Sequence, residues 1–294
     1  MKNSKNPGQE GHDGAQNDRD LESILLPGDT TPPDGDKLDL DTFMESIKQS
    51  QLIDLSDLSD DDLPPFFKAT SAFKSVLLTI DRARQLEAAL ALITGAHGAG
   101  KTTAVRIYGR KEPINYWQCG PSYHAKHLLR DVGKALGITM GDGWQAQTSI
   151  VRDQLVSAPR TFVLDEAQRL SYEGCDLLKY LADESGSTFV LIASPSLEKR
   201  IDRWPDISTR CTVRTRVSSI DIGEFTALYA KDGYSAEALA ELHRLSGGVM
   251  RTINALVRQI DLEIEFHNTR TQRQLTRRDL TVKHVRRMAE KITG

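Results

Sequence analysis

Two hydrophobic periods alternate along this chain. Between residues 70 and 87 the apolar residues Phe73, Val76, Leu77, Ile80 and Ala83 recur every three or four positions, which predicts a helix. The run Ala88-Ala89-Leu90-Ala91-Leu92-Ile93 follows and predicts a strand buried on both faces. Residues 103–108 predict a helix, 113–119 a strand, and 127–137 a helix ended by Gly137. A helix over 148–156 leads to a strand over 161–164. A helix over 174–183 precedes a strand over 189–193, and a last strand covers 211–217. From there the pattern is helical only, over 223–230, 236–245, 250–266 and 281–291.

Strands alternating with helices imply an α/β fold with a parallel central sheet covered on both faces, then a small all-helical lid. The expected organisation has four parts. Residues 1–65 form an acidic, largely disordered segment, because Gly, Asp, Asn and Pro outnumber apolar residues there. Residues 66–220 form the α/β core, 221–266 the lid and 267–294 a basic helical tail. Within the head, the mixed acidic and apolar stretch 52–58 reads either as a docking peptide or as a solvated linker.

Net charge sharpens this division. The formal charge of −3 hides 5 basic and 16 acidic residues in 1–65, a net of −11, against +8 for the rest. The last 29 residues alone carry +6. Only the body and tail therefore suit an anionic partner. No uncharged apolar run approaches the roughly 20 residues of a membrane helix. The first ten residues lack a secretory apolar core. Cys119, Cys175 and Cys211 have no metal-ligand spacing. These features point to a cytoplasmic protein with reduced thiols and no membrane partner.

The chemistry enters with Gly95-Ala96-His97-Gly98-Ala99-Gly100-Lys101-Thr102, which fits G-x-x-x-x-G-K-[ST] between a predicted strand and a predicted helix. Glycines let the backbone N–H groups approach phosphate oxygens, and the helix start, through Thr103, adds unpaired donors. Lys101 can reach the β- and γ-phosphates of ATP, and the Thr102 hydroxyl can ligate Mg²⁺. His97 fills a variable position and has no catalytic role. The second signal is Phe162-Val163-Leu164-Asp165-Glu166, an apolar strand ending in two carboxylates. Asp165 can hold the Mg²⁺ shell, and Glu166 can orient and activate water.

With Asp165-Glu166-Ala167-Gln168, the phosphate loop and the helical C-terminal segment, the chain resembles the AAA+ ATPases. It looks most like the transposition ATPases of the MuB/TniB/TnsC group, over about residues 70–259. The resemblance implies an AAA+ P-loop three-layer domain and ATP-driven assembly of copies, as rings or helical filaments, on double-stranded DNA. It also implies recruitment of a transposase and of a target-selection protein. By position, Ser194 matches the first sensor, which aligns the attacking water. Arg251, in Gly247-Gly248-Val249-Met250-Arg251, matches the second sensor. Arg210 matches the arginine that completes a neighbour's site, with Arg200 and Arg203 as competitors.

The loop Gly120-Pro121-Ser122-Tyr123-His124-Ala125-Lys126 corresponds to the channel-facing region of that family. Lys126 is the main candidate for sequence-independent DNA contact, with Ser122, Tyr123, Arg130 and Lys179 behind it. The helix-turn-helix domain of the phage-type relatives has no counterpart in residues 1–65, so DNA contact falls to the body or tail. Two other readings share the nucleotide motifs. One is a replication initiator or loader. The other is a signalling or secretion ATPase with protein partners only, which the +8 body disfavours.

Overall fold

Five parallel strands form one sheet in the order β2-β3-β4-β1-β5, and every neighbouring pair runs the same way. This is a computed structural model, and it describes residues 63–64 and 66–293. The acidic head and the 52–58 segment lie outside the described residues.

The core begins at α1 (Ser71–Gln85), where Thr70 Oγ1 accepts the Phe73 N–H at 3.0 Å. The periodic residues Phe73, Val76, Leu77, Ile80 and Ala83 are buried, as the spacing requires. Next come β1 (Leu90–Gly95), α2 (Lys101–Lys111), β2 (Asn115–Gln118), α3 (Ala125–Ala135) and α4 (Trp144–Ser157). Then follow β3 (Thr161–Asp165), α5 (Tyr172–Ser185), β4 (Thr188–Ala193), α6 (Pro195–Ile201), α7 (Pro205–Ser208) and β5 (Cys211–Val217).

Side-chain alternation divides the core into two faces. Leu90, Leu92, Phe162, Leu164, Phe189 and Leu191 pack with residues of α3, α4, α5 and α6. Their strand neighbours Ala91, Ile93, Val163, Val190 and Ile192 pack with α1 and α2. A three-layer α/β core results, and it explains why these strands read as continuous apolar runs.

The lid comprises α8 (Ile222–Tyr229), α9 (Ala236–Ser246), α10 (Met250–Arg270) and α11 (Val282–Thr293). Two expectations change here. Helix α10 runs past 266 to Arg270, and Leu280, Val285, Met288 and Ala289 share one apolar cluster with Phe225, Leu242 and Ile253. The basic tail therefore packs into the lid's core. The stretch 194–210 also holds two short helices that apolar periodicity does not signal. Each opens on a proline, whose fixed φ suits a first helical turn.

Lid and core meet closely. Glu224 of α8 accepts both the N–H and the hydroxyl of Ser71, at 2.5 and 2.7 Å. Gly248 lies at φ 70, and a Cβ there would fall 2.1 Å from the Ile220 carbonyl oxygen. Only glycine fits this close approach of the Gly247–Gly248 turn to the segment entering the lid.

All three cysteines are buried in the core. Burial pushes the thiols of Cys119 and Cys175 up to about 12 and that of Cys211 up to about 11.

Glu241 of α9 is the electrostatic centre of the lid. Arg244 donates to it at 2.7 and 2.9 Å, and Arg286 of α11 donates at 2.7 Å. These two guanidiniums, Arg244 first, hold its carboxyl down to about 2. A carboxylate depressed on folding stabilises the fold above its ordinary range and loses that contribution as pH falls through the folded value. Denaturant unfolding should therefore lose stability as pH falls from about 4.5 towards about 2. Glu241→Gln should flatten that dependence, and an unchanged acid limb would remove Glu241 from it.

Candidate functional site

The carboxyl ends of β1, β4 and β3 stand side by side, since β4 lies between the other two. In open α/β sheets ligands bind at such ends. Residues 95–102 begin at the end of β1, Asp165 ends β3 with Glu166 next to it, and Ser194 follows β4. Groups far apart in sequence thus converge without any long loop.

The phosphate loop has the shape its sequence implies. Gly98 and Gly100 lie at φ 81 and 94, in the left-handed region. Helix α2 starts at Lys101 with no side-chain cap on its first N–H groups. Lys101 is nearly buried, and its ammonium donates to the carbonyls of Gly95 and Ala96 at 2.7 and 2.8 Å. Burial pushes it below the ordinary lysine range, and Asp165 and Glu166 oppose that shift. Open donors at a helix start, with a desolvated lysine beside them, fit a polyphosphate.

Thr102 Oγ1 donates to Asp165 Oδ2 at 2.6 Å. Asp165 is buried, and it also accepts from the Tyr116 hydroxyl at 3.2 Å and the Glu166 N–H at 2.8 Å. A hydroxyl and a carboxylate this close are hard oxygen donors suited to Mg²⁺ beside phosphates. Among the described residues, no group of three or more His, Cys, Asp or Glu could hold a metal alone. The ion would therefore need phosphate oxygens or water to complete its shell. Glu166 projects from a left-handed position, φ 55 and ψ 31, at the head of the 3₁₀ turn Ala167–Arg169.

Ala96 and His97 are exposed in the loop, Ala99 is buried, and Thr103 follows in the first turn of α2. Arg251 opens α10, and its backbone N–H donates to the Gly98 carbonyl at 3.1 Å. The lid therefore touches the loop directly. The Ser194 hydroxyl lies 2.7 Å from Ser196 Oγ, and the Ser194 N–H donates to Gln168 Oε1 at 3.1 Å. Ser194 thus joins the site through its backbone.

The three trans candidates separate. Arg210 sits at the start of β5, where its carbonyl accepts the N–H of Leu90, the first residue of β1. It lies at the sheet end opposite the phosphate loop, one strand length or roughly 17–20 Å away. That loop is out of its side chain's reach. Its guanidinium is half exposed and pairs with Asp183 at 3.0 Å. Arg203 is exposed. Arg200 is not available, because it donates to the carbonyls of Gln168 and Leu170 at 2.6 and 3.0 Å.

The DNA candidates also separate. Ser122, Lys126 and Arg130 are exposed on the loop and first turns of α3. Tyr123 is a correction: it is buried, and its hydroxyl is bound to Asp131. Lys179 is partly buried, and Asp176 and Asp206 hold its ammonium at 3.1 and 3.2 Å. Gln168, Arg169 and Tyr116 also join the site: Gln168 lies in the Asp-Glu-Ala-Gln run, while Tyr116 reaches Asp165 only because β2 pairs with β3.

Residues 84–201 match the family described as AAA domain. The chain is similar to the Mu-like prophage FluMu DNA transposition protein B of Haemophilus influenzae, 26% identical over 141 residues. That alignment spans 47% of this chain and about half, 48%, of the relative. The fold is shared with Cdc6p of Pyrobaculum aerophilum, at TM-score 0.56, 15% identity, 71% of this chain and 67% of that one. It is also shared with the Aeropyrum pernix ORC2 protein in its ADP form, at TM-score 0.51, 16% identity, 79% of this chain and 71% of that one. Residues 84–201 are thus similar to an AAA domain, and about half of the chain is similar in sequence to a DNA transposition protein B.

The loop–lid contact yields a direct test. A Cβ on Gly98 would fall 2.9 Å from both Arg251 Cβ and Val249 Cγ1, at a φ that side chains rarely adopt. Gly98→Ala should weaken ADP binding at least about tenfold, or ~1.4 kcal/mol, by titration calorimetry. Affinity within about twofold of the parent would show that the loop accommodates the methyl group.

Proposed function

We propose that this chain is an ATP-hydrolysing, DNA-binding transposition regulator. It assembles on double-stranded target DNA while ATP is bound, recruits and activates a transposase, and comes apart after hydrolysis. The observation that carries the reading is the 2.6 Å contact of Thr102 with Asp165, which brings the phosphate loop and the strand-end carboxylates into one cleft. The similarity to a DNA transposition protein B supports the transposition role.

In this reading the loop N–H groups and Lys101 bind the triphosphate, and Arg251 approaches it from the lid. Thr102 and Asp165 would hold Mg²⁺, which supplies charge neutralisation on the phosphates when bound. Glu166 orients a water and takes its proton. Arg210 serves the neighbouring copy's nucleotide, with Arg203 as the alternative, which makes each site a property of two copies. Head-to-tail contacts of this kind give a ring if they close and a helical filament if they do not. The exposed Ser122, Lys126 and Arg130 contact the DNA backbone without reading sequence. A target-selection protein would direct where assembly starts.

The test is duplex binding across a salt series, with a slowly hydrolysed ATP analogue. Binding should require the analogue and fall steeply with salt. Lys101→Ala should abolish nucleotide binding and DNA assembly together. Lys126→Ala should weaken binding on every duplex and reduce the salt slope by about one unit. An unchanged slope would move the contact elsewhere. Absence of duplex binding at low salt would replace this reading with an ATPase acting on protein partners alone.

A further inference from the structure

Gln168 uses both ends of its amide, and each end serves a different part of the site. Its Nε2 donates to Glu166 Oε2 at 2.7 Å, while its Oε1 accepts the Ser194 N–H at 3.1 Å. Carboxylates only accept and backbone N–H groups only donate, so a primary amide matches both partners at once. One short side chain thereby ties the end of β3 to the end of β4.

The amide is itself held in place. Arg200 of α6 donates to the carbonyls of Gln168 and Leu170, and its guanidinium stands 5.7 Å from the centre of the Trp204 ring. Arg169 donates to the Cys119 carbonyl and places a second nitrogen 3.6 Å from Glu166 Oε2. The turn that carries Gln168 is thus pinned on both sides. Glu166, by contrast, holds an unusual left-handed backbone and is exposed at its side chain by about a quarter, 23%. Its carboxylate needs an external tether to keep one orientation.

We propose that Gln168 is a positioning residue for hydrolysis: it commits Glu166 Oε2 to its amide and leaves Oε1 to face the attacking water, in register with the end of β4. The inference rests on the ATPase reading above and adds to it a residue that acts through Glu166. Arg200 acts one step further out, by fixing the turn.

Gln168→Met keeps the length and removes both hydrogen bonds, whereas Gln168→Glu keeps the acceptor, removes the donor and places a like charge beside Glu166. The full-length chain is assayed for steady-state ATP turnover, ATP affinity and thermal midpoint. Both variants should lose about 10- to 100-fold in kcat, the worth of one hydrogen bond to a charged group, with KM for ATP within about twofold and an unmoved midpoint. If Gln168→Met fails to fold, Gln168→Glu provides the same reading. A folded variant with kcat within about twofold of the parent overturns the proposal. So does a loss that KM and the midpoint share in proportion, since that marks a merely structural role. Parent protein that binds ATP without turning it over sinks the ATPase reading itself, whereas active parent with active variants removes only Gln168.

Discussion

The hydrogen bond from the Thr102 hydroxyl to the Asp165 carboxylate is the contact on which the site depends. It crosses the end of β4 to connect the helix after β1 with the strand end of β3. Both partners are fixed by long-range structure: α2 by burial of Ala104, Val105, Ile107 and Tyr108, and β3 by burial on both faces. The sheet therefore sets the spacing of the phosphate-facing groups, and no flexible loop has to. A buried carboxylate with three donors around it is also well satisfied, which keeps this polar centre compatible with an apolar core.

The parts of this architecture that are local were legible in the sequence. The phosphate loop and the Asp165–Glu166 pair are runs of adjacent residues, so spacing alone reveals them. The three central strands β1, β3 and β4 were legible because doubly covered strands must be apolar throughout. What escaped detection depends on neighbours that chain order does not reveal. Tyr123 resembles a loop hydroxyl until Asp131 claims it. Lys179 looks free until Asp206, 27 residues away, folds back onto it. The short helices after Pro195 and Pro205 have too few turns to show a period. The tail from residue 267 reads as a basic helix because its charges outnumber its apolar residues. Its four core residues nonetheless pack it against the lid.

Lid and core are joined beside the phosphate loop as well as through the contact of Glu224 with Ser71. The Gly98 carbonyl receives the Arg251 N–H, and the Gly247–Gly248 turn lies against the segment that leaves β5. Arg210 stands at the opposite end of the same five strands.

The three thiols of this chain offer a practical consequence. All are buried, and each holds its proton far above neutral pH. Maleimide reagents attack thiolates, so the native chain is close to silent towards them. One cysteine placed on an outward-facing position would accept a dye alone, with the natural cysteines left in the core. Single molecules could then be followed by fluorescence on an otherwise unaltered scaffold.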